Sequence, residues 1–426
     1  MHKLSKLKNG LNLITTPIKG TKSVTLMALF PVGSRFETKD ISGASHFVEH
    51  MIFKGTTKRP TYLEISQELD SVGADYNAFT NKDYTGYYIK INSAKQKMAF
   101  DLLSDMLFNS KFDKSEVKKE KGVITEELKM YDDNPTMAID NLFENLFFGD
   151  HPLGWDIGGS KKTVKNMSRE QLYNYYKKYY RPDNMVLAIA GDINKKNLKN
   201  NLKCFSGSFG NKDSLKKIKS YKKFVNKNKK LTKSQRVSVK NKRTDQAHII
   251  MGFPGIGHND KRKYVLGVLL SVLSGGMSSR LFVEVREKRG LAYMIRAGAS
   301  PYDDTGVVEI QAGLDPVRLP EAITVIKDEL NKISTELVGK KELSDAKNNM
   351  FGKLALALED SSNQADWFAK SFWFAKEIKT YNKVVAEIKK VTDKQVKDLA
   401  NKIFEMDQLR LAAIGPLEKS KVLKML

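Results

Sequence analysis

The sequence predicts an α+β fold of two related domains, each a mixed β-sheet with helices packed on one face. Three observations carry that reading. The first is repetition. Leu29-Phe30-Pro31 recurs as Gly252-Phe253-Pro254, and Leu187-Ala188-Ile189-Ala190-Gly191 recurs as Leu411-Ala412-Ala413-Ile414-Gly415, shifts of 223 and 224 residues. Two nearly equal shifts signal a duplicated unit. The second is the order of elements, since each half runs strands, then helices, then strands again, as in a sheet carrying its helices against it. The third is length, because 426 residues exceed what one hydrophobic core usually serves.

The elements follow in order. Val24 to Pro31 is an apolar strand, and Ser42 to Lys54 and Thr61 to Val72 are helices. Asp75 to Ile91 is rich in Tyr, Phe, Thr and Ile, which favours strand, with a turn at Asn81-Lys82-Asp83. Ala94 to Asn109 is a helix, and Ser115 to Met130 is another, with Val117, Val123, Ile124 and Leu128 as its apolar positions. Met185 to Gly191 closes the first sheet. The second half places strands near His248 to Phe253, Leu291 to Ser300 and Val307 to Ala312. Gly275-Gly276 followed by Ser278-Ser279 reads as a turn and helix cap, because the Lys-Ser/Thr ending of a phosphate loop is missing. The expected boundaries are 1–212 for the first domain, 213–235 for a Lys-rich linker and 236–426 for the second domain. The dense run Lys216 to Lys242 reads as a solvated connector.

The chemistry concentrates in His46-Phe47-Val48-Glu49-His50. At about 3.6 residues per turn the two histidines lie one turn apart and Glu49 falls in the same sector. Two imidazoles and a carboxylate on one helix face suit a catalytic zinc, with two nitrogen ligands and a base beside the water. A third ligand belongs on another helix, and Glu120 and Glu127, seven residues apart on one face, are the candidates. Spacing alone allows either to bind while the other supports it.

His-x-x-Glu-His followed by that glutamate pair resembles the inverzincin metallopeptidases, the family of pitrilysin, insulin-degrading enzyme and the mitochondrial processing peptidase. The resemblance implies a duplicated processing-peptidase-like fold and one zinc ion per chain, held by His46, His50 and Glu127. It makes Glu49 the general base and Glu120 a partner behind the ligands. Glu126 adjoins Glu127, but the run Val123-Ile124-x-x-Glu127 matches the family pattern and puts Glu127 on the face of Glu120. Asn77-Ala78-Phe79-Thr80 is similar to the strand on which the family aligns substrate, which implies substrate binding by Asn77, Ala78 and Phe79. Arg286 and Tyr293, in the second half, match a pair that meets the substrate carbonyl and backbone. A shift of 223 puts Leu269, Val272 and Leu273 where His46, Glu49 and His50 stand, and Met350 where Glu127 stands, so the second domain is expected to lack a metal site.

Composition narrows the alternatives. The net charge of +24 attracts polyanions, but Lys is scattered through the chain and no nucleic-acid module signature is present, so no dedicated nucleic-acid binding is expected. Cys204 is the single cysteine, which excludes an intramolecular disulfide framework and any multi-cysteine metal site. No stretch is apolar enough for a signal peptide or a membrane span, and the expected location is the cytoplasm. The expectation is a zinc endopeptidase acting on peptides or unfolded polypeptide. The alternative is a noncatalytic scaffold or partner subunit of a processing-peptidase-like complex. By resemblance, a chain of this size works as a homodimer or as a heterodimer with an inactive relative.

Overall fold

The computed structural model of the chain describes residues 2–206, 221–225, 231–375 and 377–426. Most of the expected linker, 213–220 and 226–230, therefore lies outside the described residues. The chain divides into two compact units that interleave in sequence. Unit 1 comprises Met1–Lys129, Asp156–Lys222 and Leu356–Ile378; unit 2 comprises Met130–Trp155, Lys223–Ala355 and Lys379–Leu426. The division is thus not a single cut at the linker, because each unit takes a segment from the other half of the sequence.

Unit 1 is built on six strands: β1 (Lys3–Lys6), β2 (Asn12–Pro17), β3 (Ser23–Phe30), β4 (Asp75–Thr80), β5 (Thr85–Asn92) and β6 (Val186–Gly191), in the order β1-β2-β6-β3-β5-β4. The β2–β6 pair is parallel and the rest are antiparallel. Strand side chains alternate between faces. Leu26, Ala28 and Phe30 join the main core with Phe47, Leu103 and Tyr176 from the helices of the first half. Met27 and Leu29 turn to the other face, where Ala365, Phe368 and Ala369 of the helix Ser361–Phe374 cover them. The helices do gather mainly on one face, but the second face is not bare. The apolar run Leu26 to Phe30 of β3 is the mark of a strand buried on both sides.

Unit 2 repeats the plan with β7 (Val237–Asn241), β8 (Ala247–Pro254), β9 (Ala292–Pro301), β10 (Gly306–Leu314) and β11 (Arg410–Gly415), ordered β7-β11-β8-β10-β9. Position for position this is β2-β6-β3-β5-β4, down to the parallel β7–β11 pair. Helix Pro135–Phe148, from the first half of the sequence, covers Ile250, Ala412 and Ile414 with Ile139 and Phe143. The run to Lys242 read as solvated connector in fact ends in β7, an edge strand in which Val237 is buried and Lys240 and Asn241 sit toward solvent. Lysines on edges discourage further pairing, and β1, Lys3-Leu-Ser-Lys6, ends the first sheet the same way.

The counterpart of the histidine helix in unit 2 is Lys263–Ser274, where Leu269, Val272 and Leu273 are buried and the Met350 methyl lies against Gly267. Among the described residues His46, His50 and Glu127 form the one group with metal-ligand spacing, and no helix is long and apolar enough to cross a membrane.

Candidate metal centre

The histidine helix, Ala44–Ile52, buries Phe47, Val48, Met51 and Ile52 in the core, which leaves His46, Glu49 and His50 together on its other side. Its first residues have no local side-chain cap. Instead the buried Glu37 carboxylate accepts hydrogen bonds from the N–H of Gly43 (2.8 Å) and of Ser45 (2.7 Å). Burial raises the Glu37 carboxyl to about 7, against the pull of those N–H groups. The backbone of Gly158-Gly159 crosses the start of the helix. A Cβ on Gly43 (φ 99°) would stand 2.6 Å from the Gly158 carbonyl, and one on Gly159 (φ 78°) 2.2 Å from that of Ser42. Glycine is required at both for conformation and for space.

The donor atoms converge. His46 Nε2 and His50 Nε2 are 3.2 Å apart, and Glu127 Oε2 lies 3.7 Å from the first and 3.5 Å from the second. A tetrahedral zinc with ligand bonds of about 2.0–2.1 Å separates its ligand atoms by about 3.3 Å, so the set fits that ion without rearrangement. Behind it, Glu120 Oε1 meets His50 Nδ1 at 2.7 Å, which fixes the ring and leaves Nε2 toward the other donors. Glu120 Oε2 is in turn paired with Lys54 at 2.8 Å. Burial would lower His50, but hydrogen bonds with Glu120 and Glu127 raise it to about 9. His46 moves the other way, to about 4, through burial and the neighbouring His50. Its Nδ1 is buried without a hydrogen-bond partner. The two Nε2 atoms face each other across 3.2 Å with a carboxylate oxygen beside them, a donor set with the spacing of metal ligands.

Glu49 is held by the Thr80 hydroxyl, which donates to Oε2 at 2.5 Å. Burial raises the Glu49 carboxyl above its ordinary value, and that hydrogen bond opposes the rise. Thr80 ends β4, the edge strand that carries Asn77, Ala78 and Phe79. Asn77 Oδ1 accepts from the N–H of Ala78 at 2.8 Å. The Phe79 ring lies over Gly86, where a Cβ would meet it at 2.2 Å, and edge-on to Tyr84, so Phe79 has main chain rather than ring to offer a ligand.

Arg286 and Tyr293 belong to unit 2, whereas the residues above belong to unit 1. Arg286 sits on a π-helical turn, Phe282–Glu287, and donates to the Tyr293 carbonyl at 2.8 Å. Tyr293 is 76% exposed, and the pair lines an open cavity of about 650 Å³ with Gln246, Glu287 and Asp315. Glu37, Lys54 and the tie between Thr80 and Glu49 were not foreseen from sequence. The double glycine at Gly158-Gly159 is the one sequence sign of this close backbone approach.

Two family models match the chain. Residues 13–159 match the one described as Insulinase (Peptidase family M16), and residues 166–350 match Peptidase M16 inactive domain. A Bacillus subtilis (strain 168) protein named as an uncharacterized zinc protease is 36% identical over 412 residues, covering 96% of this chain and 97% of that one. A Streptomyces coelicolor protein named likewise is 33% identical over 413 residues, covering 97% and 89%. Among solved structures, a protease from Helicobacter pylori gives a TM-score of 0.90 at 24% identity over 98% of this chain and 99% of that one. A Pseudomonas fluorescens structure described as a peptidase M16 inactive domain gives 0.86 at 20% identity, covering 98% of each. At these identities the structural likeness speaks for the fold.

Proposed function

The chain belongs to the insulinase family of peptidases, M16, and from that premise we propose that it is a zinc-dependent endopeptidase hydrolysing peptide bonds in peptides or unfolded segments. One observation carries the reading: three ligand atoms lie 3.2 to 3.7 Å from one another, with Glu49 on the same side of the helix that supplies two of them.

His46 Nε2, His50 Nε2 and Glu127 would hold the ion. When bound, zinc supplies a Lewis acid that makes water a nucleophile near neutral pH. Glu49 takes the proton of the attacking water and passes it to the leaving amine, and burial of its carboxyl suits it to do both. Glu120 keeps the His50 ring in one tautomer and orientation. The free side of β4 presents main-chain groups to which an extended peptide can add as a further strand, which favours unstructured substrates. Arg286 and Tyr293 are assigned to the substrate by resemblance alone. A homodimer in the cytoplasm is the proposed assembly and location.

Metal analysis with digestion of a mixture of unstructured peptides tests the reading. The expected result is about one zinc per chain, chelator-sensitive cleavage, and a Glu49→Gln variant that keeps the metal but loses hydrolysis. Metal-loaded Glu49→Gln protein with wild-type turnover would remove Glu49 from the role of base.

A further inference from the structure

A carboxylate that must collect a proton from water needs one oxygen held and the other presented. A glutamate on a helix has several staggered rotamers to choose from. Among the described residues, the Thr80 hydroxyl is the one hydrogen-bond partner of Glu49, at Oε2, and Oε1 has none. The neighbouring groups are committed elsewhere. The His50 ring is tied to Glu120 at 2.7 Å, and the hydroxyls of the buried Tyr87 and Tyr180 meet each other at 2.8 Å.

The threonine is itself firmly placed. It pairs with Thr85 at the end of the β4–β5 hairpin, whose turn is closed by the Asn81 N–H donating to Tyr84 O at 2.8 Å. The turn is pinned from outside by the N–H of Ser34 on Asn81 O (3.1 Å) and of Arg35 on Lys82 O (2.9 Å), and Lys82 and Asp83 are buried. A β-branched side chain adds stiffness at χ1.

We propose that Thr80 is a positioning residue for hydrolysis: its hydroxyl tethers Glu49 Oε2 so that Oε1 faces the water. The inference rests on Glu49 being the base of the reading above. One strand then does two things, since β4 offers its main chain to substrate through Asn77 to Phe79 and fixes the base through its last residue.

Zinc-loaded Thr80→Val and Thr80→Ser proteins test this against a peptide that the wild type cleaves. Thr80→Val, similar in shape but without the hydroxyl, should lower kcat about 10- to 100-fold, the scale of a small misplacement at a reacting centre, with KM within about two-fold and metal content unchanged. Thr80→Ser should keep most of kcat. An unchanged kcat in Thr80→Val, a change confined to KM, or an equal loss in Thr80→Ser would overturn the proposal. A double-mutant cycle with Glu49→Ala, read by urea unfolding of the chelated protein, decides the tether without catalysis. About ten-fold or greater coupling in the unfolding equilibrium is expected for a charge-assisted hydrogen bond, and additivity would count against it. If the wild type cleaves nothing, the endopeptidase reading fails, and the cycle still decides whether Thr80 holds Glu49.

Discussion

Glu126 and Glu127 are adjacent in the chain and turn away from each other: Glu126 is 71% exposed and paired with Lys129 at 2.6 Å, whereas Glu127 Oε2 lies 3.5 Å from His50 Nε2. One step along a helix rotates a side chain by about 100°, enough to separate a surface charge from a candidate ligand. Glu127→Gln should therefore weaken zinc binding by orders of magnitude, while Glu126→Gln leaves it within about two-fold, as a surface ion pair of this kind is worth little. Competition against a chromophoric chelator measures both. The reverse order of effects would exchange the two residues.

Glu120 is not one of the three converging groups but grips the ring of one, His50. Its replacement by Gln should cost about 10- to 100-fold in zinc affinity, the usual scale for a partner that orients a ligating imidazole. Titration of zinc into the apoprotein measures the change. An affinity equal to that of the wild type would mean that packing alone orients His50.

Glu37 predicts a pH dependence. Its carboxyl is raised from 4.5 to about 7 by burial. Between those values the folded chain keeps a proton that the unfolded chain has released. Stability from this group is thus full below the unfolded value and declines as pH rises through the folded one. A shift of that size is worth up to about 3 kcal/mol. Measured by urea unfolding of chelated protein, the stability of wild type relative to Glu37→Gln should fall by roughly that amount between about pH 5 and about pH 8. A difference that stayed level or grew with pH would contradict the raised carboxyl.

The interleaved units predict that the halves of the sequence do not stand alone. Residues 1–235 lack the helix Ser361–Phe374, which covers Ile14, Met27, Leu29, Val186 and Ala188. Left open, each of these side chains forgoes about 1.5–3 kcal/mol of burial, or less for Ala188. The fragment should aggregate or unfold without a cooperative transition, and coexpression with residues 236–426 should restore soluble protein. A soluble fragment that unfolds cooperatively would show that the second face of the sheet tolerates exposure.

Local features were legible in the sequence. The spacing of His46, Glu49 and His50 depends only on helix geometry, and the repeat at Leu187 and Leu411 depends only on strand periodicity and the closing glycine. Relationships across the chain were not. Nothing near Glu37 announces that its carboxylate caps a helix six residues on, and nothing near Thr80 points to Glu49, 31 residues earlier. Strands β1 and β2 carry a weak signal because Lys3, Lys6 and Asn12 dilute their apolar alternation. The helices Pro135–Phe148 and Ser361–Phe374 are not assigned to a sheet by sequence, because an apolar face states that a partner exists without saying which one.

The exchange of helices also sets a timetable. The last strand of the first sheet ends at Gly191, but the helix that closes its second face starts at Ser361. At about 5–20 residues per second, roughly 10–30 s of synthesis separate the two on the ribosome. The histidine helix is thus made long before its supporting sheet is sealed, and a nascent chain whose translation stops before Ser361 leaves the second face of that sheet open.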